Sequence, residues 1–321
     1  MIRYSFRRVL TMLPIVVMIS IVVFSLAKLM PGDALSGQID PLNTDPAYID
    51  EMREKLGYNK PIYKQYINWA TGALQWDFGQ SHVHKMPVTE LIGQRLPNTL
   101  LLSIMSLLFT YFFAFIMGQY SGRNPYTIGD YAIQGLNYFM LAIPSFVAAI
   151  FAIFFFSFQL GWFPASGSIG SGIEPGTVDY YVNRIKHAFL PSLTLGMLTT
   201  ASYTQFLRND MIENAGRDYV RTARAKGTNE HTIYNKHILR NALIPIITLF
   251  GFDIASIIGG AVIIETVFSY PGIGELFVQS VTRRDYSVVV TISLILSIAT
   301  LVGNLIADLI YGVVDPRIRL E

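Results

Sequence analysis

Few residues in this 321-residue chain have the type and spacing to do covalent chemistry. A phosphate-cradling P-loop needs Gly-x4-Gly-Lys-Ser/Thr. No Gly-Lys dipeptide occurs anywhere in the sequence, so the chain carries no ATPase site of that kind. Cysteine is absent, which removes thiolate metal sites and disulfides together. His82 and His84 lie two apart on a polar stretch, a weak metal pattern that reads as solvated surface, and no nucleophile–base arrangement is visible. The chain is read as no enzyme and as holding no metal. What stands out is charge in unusual company. Asp253 and Glu265 interrupt a long apolar stretch, where an ionisable group is costly and normally faces a cavity or a partner. Arg217, Arg221, Arg224 and Lys226 crowd into a short run that stops at Gly227.

Those groups must be held by an unusual scaffold. The chain is 52% hydrophobic and 14% charged, against roughly 25% charged in a soluble domain. That excludes an ordinary soluble enzyme, which needs a charged exterior, and a disordered chain, which needs low hydrophobicity. The missing charge leaves long gaps. Arg8 to Lys28, Arg95 to Arg123, Asp130 to Glu174, Lys186 to Arg208 and Asp285 to Asp308 each bracket a run free of Asp, Glu, Lys and Arg. A helix needs about 20 apolar residues to cross the hydrocarbon core. The expected fold is all-α and integral to a membrane, with six spans near 9–30, 98–120, 134–160, 188–207, 243–267 and 287–311. The glycines and proline from Gly161 to Gly172 end the third helix early, and Pro144 is expected to kink it. The first span has Arg3, Arg7 and Arg8 before it, like a signal peptide. Its apolar run is too long and its exit too poor a cleavage site, so it is read as a retained helix.

Orientation follows from Lys and Arg. With the N-terminus inside, the inner pieces 1–8, 121–133, 208–242 and 312–321 hold thirteen of the 24 basic residues. Trp69, Trp76 and Trp162 fall in outer pieces, as interfacial anchors should. Both termini are therefore expected on the cytoplasmic side. The divisions are residues 1–30, tail and first span; 31–97, an extracytoplasmic segment; 98–312, a five-span core with an inner loop at 208–242; and 313–321, a cytoplasmic tail. In the outer segment, Asp45 and Pro46 can start a helix that Gly57 ends, and Pro87 starts another that leads into the second span. In the inner loop, a helix ends at Gly227, and Thr228 or Asn229 caps the next one, from Glu230 to Leu243. The product is a helix–turn–helix elbow with little bulk at Ala223 and Ala225. Either a partner's groove or anionic lipid headgroups can meet its basic face. Two roles fit Asp253: lining a path through the bundle, or a structural hydrogen bond. Gly259-Gly260 allows close helix packing.

The run Tyr219-Val220-Arg221-Thr222-Ala223-Arg224-Ala225-Lys226-Gly227, with His237-Ile238-Leu239-Arg240-Asn241-Ala242-Leu243-Ile244-Pro245 after it, resembles the EAA loop of bacterial ABC importer permeases. The likeness is strongest to the B-type subunit of the dipeptide/oligopeptide/nickel class. Leu29-Met30-Pro31-Gly32-Asp33, Asp77-Phe78-Gly79-Gln80-Ser81, Arg95-Leu96-Pro97-Asn98-Thr99-Leu100, Gly259 to Phe268, Pro271-Gly272-Ile273-Gly274, Arg284-Asp285-Tyr286 and Asp315-Pro316-Arg317-Ile318-Arg319 extend the likeness nearly end to end. Thr222 stands where the general pattern has Glu, a variant that looks normal for the peptide class.

The resemblance implies that the elbow is a coupling helix seated in a cytoplasmic ATPase, with Arg217, Arg221, Thr222, Ala223, Arg224, Lys226 and Gly227 at the contact. It implies Pro271, Gly272 and Gly274 as outer gate candidates, while Asp253 and Glu265, as ionisable groups deep in an apolar stretch, are the pathway candidates. It implies a bacterial inner-membrane assembly with a second homologous permease, two ATPase subunits that carry the ATP and Mg, and an extracellular substrate-binding protein. Membrane lipid surrounds it, and no nucleic acid is involved. Nickel or another small solute is the alternative cargo to peptide. An ion-coupled secondary transporter is the alternative class, but its usual broken helices and repeat are not visible.

Overall fold

In a computed structural model, the chain is described at residues 2–29, 51, 54, 60–247, 249–250, 253 and 262–314. Among these residues the structure is helical. Helix α1 is Ile2–Leu29 and α2 is Ile62–Ala73; α3 is Val88–Arg123, α4 Ile128–Ala142 and α5 Ser145–Ala152, which runs on as a π-helical turn to Gln159. Helix α6 is Val178–Ala215, α7 Asp218–Ala225 and α8 Glu230–Thr232, continued by a π-helical stretch into α9, Leu239–Ala242. Helices α10 (Val262–Val267), α11 (Ile273–Thr282) and α12 (Tyr286–Val314) complete the order.

Three stretches are long and apolar enough to cross a membrane: Leu10–Leu29, Val88–Arg123 and Tyr286–Ala307. They coincide with the first, second and sixth expected spans. The third departs from expectation. Instead of one kinked helix, α4 and α5 meet at 106°, and they add a fourth crossing only if the bent pair is taken as one. The residue before a proline is pushed out of the α region. Accordingly Ile143 is extended (φ −78°, ψ 127°) and Pro144 follows it in the same region (φ −60°, ψ 137°). Two successive extended residues end a helix rather than bend it. The fourth expected span lies inside α6, which begins ten residues earlier, at Val178. Much of the polar content of that span is turned inward: Ser192, Thr194, Thr200 and Thr204 are all buried. The middle of the fifth expected span, Gly259-Gly260 included, lies outside the described residues. So do the start at Asp45-Pro46 and the stop at Gly57.

The most extensive packing joins α3 to α6. It is close because glycine is placed where side chains would collide. A Cβ on Gly118 would lie 2.8 Å from Leu207, one on Gly122 2.7 Å from Met211, and one on Gly196 2.8 Å from Phe109 and from the Ser106 carbonyl. Gly118 and Gly122 form a Gly-x-x-x-Gly pair, which lets helix backbones approach closely in lipid. Hydroxyls then bridge the gap: Ser192 donates to the Leu102 carbonyl at 3.0 Å, and Thr110 to that of Gly196 at 3.2 Å. Elsewhere α1 lies on α12, where Phe24, Ala27, Tyr286 and Val290 pack together beneath Tyr66 and Trp69 of α2.

Candidate functional site

The elbow begins where α6 ends. Gly216 closes α6, and Arg217 (ψ 152°) turns the chain into α7. Lys226 is the last residue of the turn, and Gly227 follows with φ +79°. The Gly227 N–H bonds the Arg224 carbonyl at 2.9 Å, and the Thr228 N–H bonds that of Ala223 at 3.1 Å. This pair of bonds around a left-handed residue is the Schellman stop, for which glycine is the favoured residue. The next helix is capped by Asn229 rather than Thr228, since its side chain accepts from the Thr232 N–H at 2.8 Å.

One apolar contact set fixes the elbow's angle. Val220 is fully buried among Leu207 and Met211 of α6 and Ile233, Ile238, Leu239, Ala242 and Ile246 of the returning arm, with Ala223 packed at the edge. Burying a valine this way contributes roughly 1.5–3 kcal/mol. The polar residues face out. Arg221 is exposed, 3.6 Å from Asp218. Arg217 pairs with Glu213 one turn back, and the Thr222 hydroxyl bonds the Asp218 carbonyl at 2.9 Å within its own helix. Arg224 behaves differently. Its guanidinium is spent on Glu230 across the turn, with Nε to Oε1 at 2.7 Å and a second N–H to Oε2 at 3.1 Å, and this fork lowers the Glu230 pKa. It closes the elbow from outside, while Arg221 and Lys226 remain presented.

Asp253 is held by two phenols from the packed pair of helices. Tyr203 of α6 donates to its carboxylate at 2.6 and 2.7 Å, and Tyr111 of α3 donates to Oδ2. The two rings meet edge to face at 5.2 Å. A cavity of about 550 Å³ opens beside Tyr111 and Tyr203, walled by Phe112, Phe115, Leu207, Leu243 and Ile246.

Glu265 is fully buried. Its Oε1 accepts from the Thr99 hydroxyl at 2.8 Å, and its Oε2 from the Gly274 and Glu275 N–H groups at 2.7 and 3.0 Å. The carboxylate thus caps the first turn of α11, where a negative charge is favoured. Pro271, Gly272 and Gly274 wrap it: a Cβ on Gly272 would stand 2.4 Å from the Glu265 carboxyl carbon, and one on Gly274 2.9 Å from Oε2. Helix α3 grips the same turn. Asn98 donates to the Pro271 carbonyl at 2.9 Å, Thr99 accepts from the Ile273 N–H at 2.7 Å, and Arg95 pairs with Glu275 at 3.2 Å. The geometry joins the outer gate candidates directly to Glu265, and places Asp253 with the tyrosines instead.

Nothing in the sequence marks Tyr111, Tyr203, Asn98 and Thr99 as members of these sites, because their partners lie 50 to 174 positions away. Gly118-x-x-x-Gly122 had a readable signal. So did Asp130 of α4, but only as the start of a charge-free run.

Long apolar helices packed through glycines, with a basic elbow at the end of one of them, make a helical bundle of the membrane-embedded class. Residues 110–320 match the family described as the binding-protein-dependent transport system inner membrane component, and residues 1–103 match the N-terminal part described for such membrane components. The chain belongs to this family. It is 42% identical to the oligopeptide transport system permease protein AppB of Bacillus subtilis over 318 residues, 98% of this chain and 99% of the relative. It is 33% identical to the glutathione transport system permease protein GsiC of Escherichia coli K12, over the whole length of both. A solved structure titled as inward-facing conformations of the MetNI methionine ABC transporter shares the fold, with a TM-score of 0.51 at 18% identity over 70% of this chain and 96% of that one.

Proposed function

We propose that the chain is the permease subunit of an ATP-driven importer and forms half of a translocation pathway for peptides. A second homologous permease completes the pathway, two cytoplasmic ATPase subunits bind and hydrolyse ATP with Mg, and an extracellular binding protein delivers the cargo. Family membership and the relatives named for oligopeptide and glutathione transport support this reading, glutathione being itself a short peptide. Six spans with both termini cytoplasmic complete it.

The observation that carries the mechanism is the elbow: a short helix closed by a Schellman turn, anchored through Val220 to α6, with Arg221 and Lys226 facing out. A rigid knob of this kind can seat in an ATPase groove. When two ATPases close on ATP, their grooves carry the elbows, and the attached helices re-aim the pathway as rigid bodies. For that to work, ATP must favour one of the two arrangements over the other. Asp253, beside the Tyr111–Tyr203 cavity, lines the path on this reading. The Pro271–Gly274 turn belongs to its outer gate, with Glu265 as the brace of that gate.

The test is reconstitution. The tagged chain, its companion permease and the ATPases are purified in mild detergent, placed in liposomes and supplied with a binding protein loaded with labelled oligopeptide. Uptake that needs both ATP and the binding protein is expected. A chain that retains no ATPase, or vesicles that take up peptide without ATP, would refute the proposal. Uptake of nickel but not peptide would reassign the cargo alone.

A further inference from the structure

A buried clasp lies at the elbow end of the bundle, on residues that neither the elbow nor the pathway uses. Asp130, on the first turn of α4, is fully buried. Arg208 of α6 reaches it with both edges of its guanidinium, Nε to Oδ1 and a terminal nitrogen to Oδ2, each at 2.7 Å. Ser121, near the end of α3, donates to the same carboxylate, and the Tyr126 N–H does so at 2.7 Å. One turn further along, Gln134 of α4 donates to Ser121 at 3.2 Å and accepts from Gln205 of α6 at 2.5 Å. The Tyr126 ring lies 5.8 Å from the Arg208 guanidinium. A two-point Arg–carboxylate fork fixes orientation as well as distance. Three helices are therefore pinned at one point.

The placement matters. Arg208 lies seven residues before the end of α6, about 10 Å along the axis, and Leu207 beside it is in the contact set that anchors the elbow. On the other side, Gly118 and Gly122 press α3 against Leu207 and Met211. A push on the elbow thus reaches Arg208 through packed side chains and an unbroken helix. Helix α3 must follow because of the glycine contact. Helix α4 is joined to this body by polar contacts, and beyond it lies the 106° break into α5.

We infer that the Arg208–Asp130 clasp is the coupling pin of this permease: it makes α4, and the α5 segment beyond it, move with α6 when the elbow is displaced. The inference rests on the reading of the elbow as the ATPase contact. Asp130 and Arg208 are positioning residues on this inference, acting through the two helices that they join. Breaking the pin leaves the elbow and its ATPase contact in place but lets α6 move without α4, so ATP is hydrolysed without productive opening.

The test uses the complete reconstituted transporter with Asp130→Asn and, separately, Arg208→Lys. The first removes the charge and keeps the shape; the second keeps the charge and loses the fork. Both are expected to retain the ATPases on purification and to hydrolyse ATP near the wild-type rate. Peptide taken up per ATP should fall about tenfold or more for Asp130→Asn, and by less for Arg208→Lys, a size typical of a lost coupling interaction. Uptake per ATP unchanged in assembled Asp130→Asn transporter overturns the inference. Failure of both variants to assemble also overturns it, because the pair then holds the fold and not the coupling. If the unaltered transporter retains no ATPase, the elbow reading itself falls, which is a result separate from either variant's behaviour.

Discussion

Gly227 is needed for its backbone and not for space. Its φ of +79° is left-handed, yet nothing lies within 4 Å of where a Cβ would be. A substitution there is therefore penalised by conformation alone, about 1–2 kcal/mol for an ordinary L-residue and less for asparagine, which tolerates the region. Gly227→Val is expected to loosen the elbow and weaken ATPase retention, while Gly227→Asn keeps most of it; the ratio of co-purified ATPase to permease measures both. Asp130 makes a prediction about pH. The Arg208 fork and the other donors hold its carboxyl well below the usual carboxylate range. A carboxylate depressed in the folded state stabilises above its unfolded value and loses that contribution as the pH falls through its folded one. Thermal unfolding in detergent should therefore separate wild type from Asp130→Asn at neutral pH. The gap should narrow progressively below about pH 4, where the unfolded carboxyl begins to take up its proton. A gap that stays constant down to strongly acidic pH would sink this account of the charge.

Among the helices, the α3–α6 contact decides the most. Leucine at Gly118 has no room, since even a Cβ falls 2.8 Å from Leu207, whereas Gly135 on α4 has nothing within 4 Å. Gly118→Leu should cost on the order of 1–3 kcal/mol through overpacking, or force the helices apart, while Gly135→Ala should leave the unfolding temperature nearly unchanged or slightly raised. Detergent melting curves of the two variants side by side would decide it. This scale is also where reading the sequence ran short. Charge-free runs showed where long apolar helices lie, because burying charge in lipid is costly whatever the partners. They did not distinguish a kinked helix from two helices meeting at 106°, because the outcome depends on two consecutive residues, Ile143 and Pro144, both adopting extended backbone. The elbow was legible down to its stop at Gly227, since the Schellman turn is a local device. Which of Thr228 and Asn229 caps the next helix was not, because both have the side chain for it.

For the whole molecule, the absence of cysteine makes orientation directly measurable. Single cysteines placed at Leu74 and Ile128, both strongly exposed at 85% and 89%, report opposite sides on the proposed topology. A membrane-impermeant maleimide added to intact cells or right-side-out vesicles should label Leu74→Cys and spare Ile128→Cys until the membrane is permeabilised. Equal labelling of the two would contradict the arrangement drawn from Lys and Arg placement.

The sequence by itself determined that this chain belongs in a membrane, where its long apolar runs begin and end, and that a basic elbow closes at Gly227. Each of these follows from local composition or from turn chemistry spanning a few residues. Only the tertiary structure decided which charges meet. It put Glu265 inside the Pro271–Gly274 turn, Asp253 between Tyr111 and Tyr203, and Asp130 under Arg208, 78 positions away. The reason is physical. A charge buried in a bundle must find partners, and helix packing, here set by glycines at Gly118, Gly122 and Gly196, decides which distant side chains come within reach.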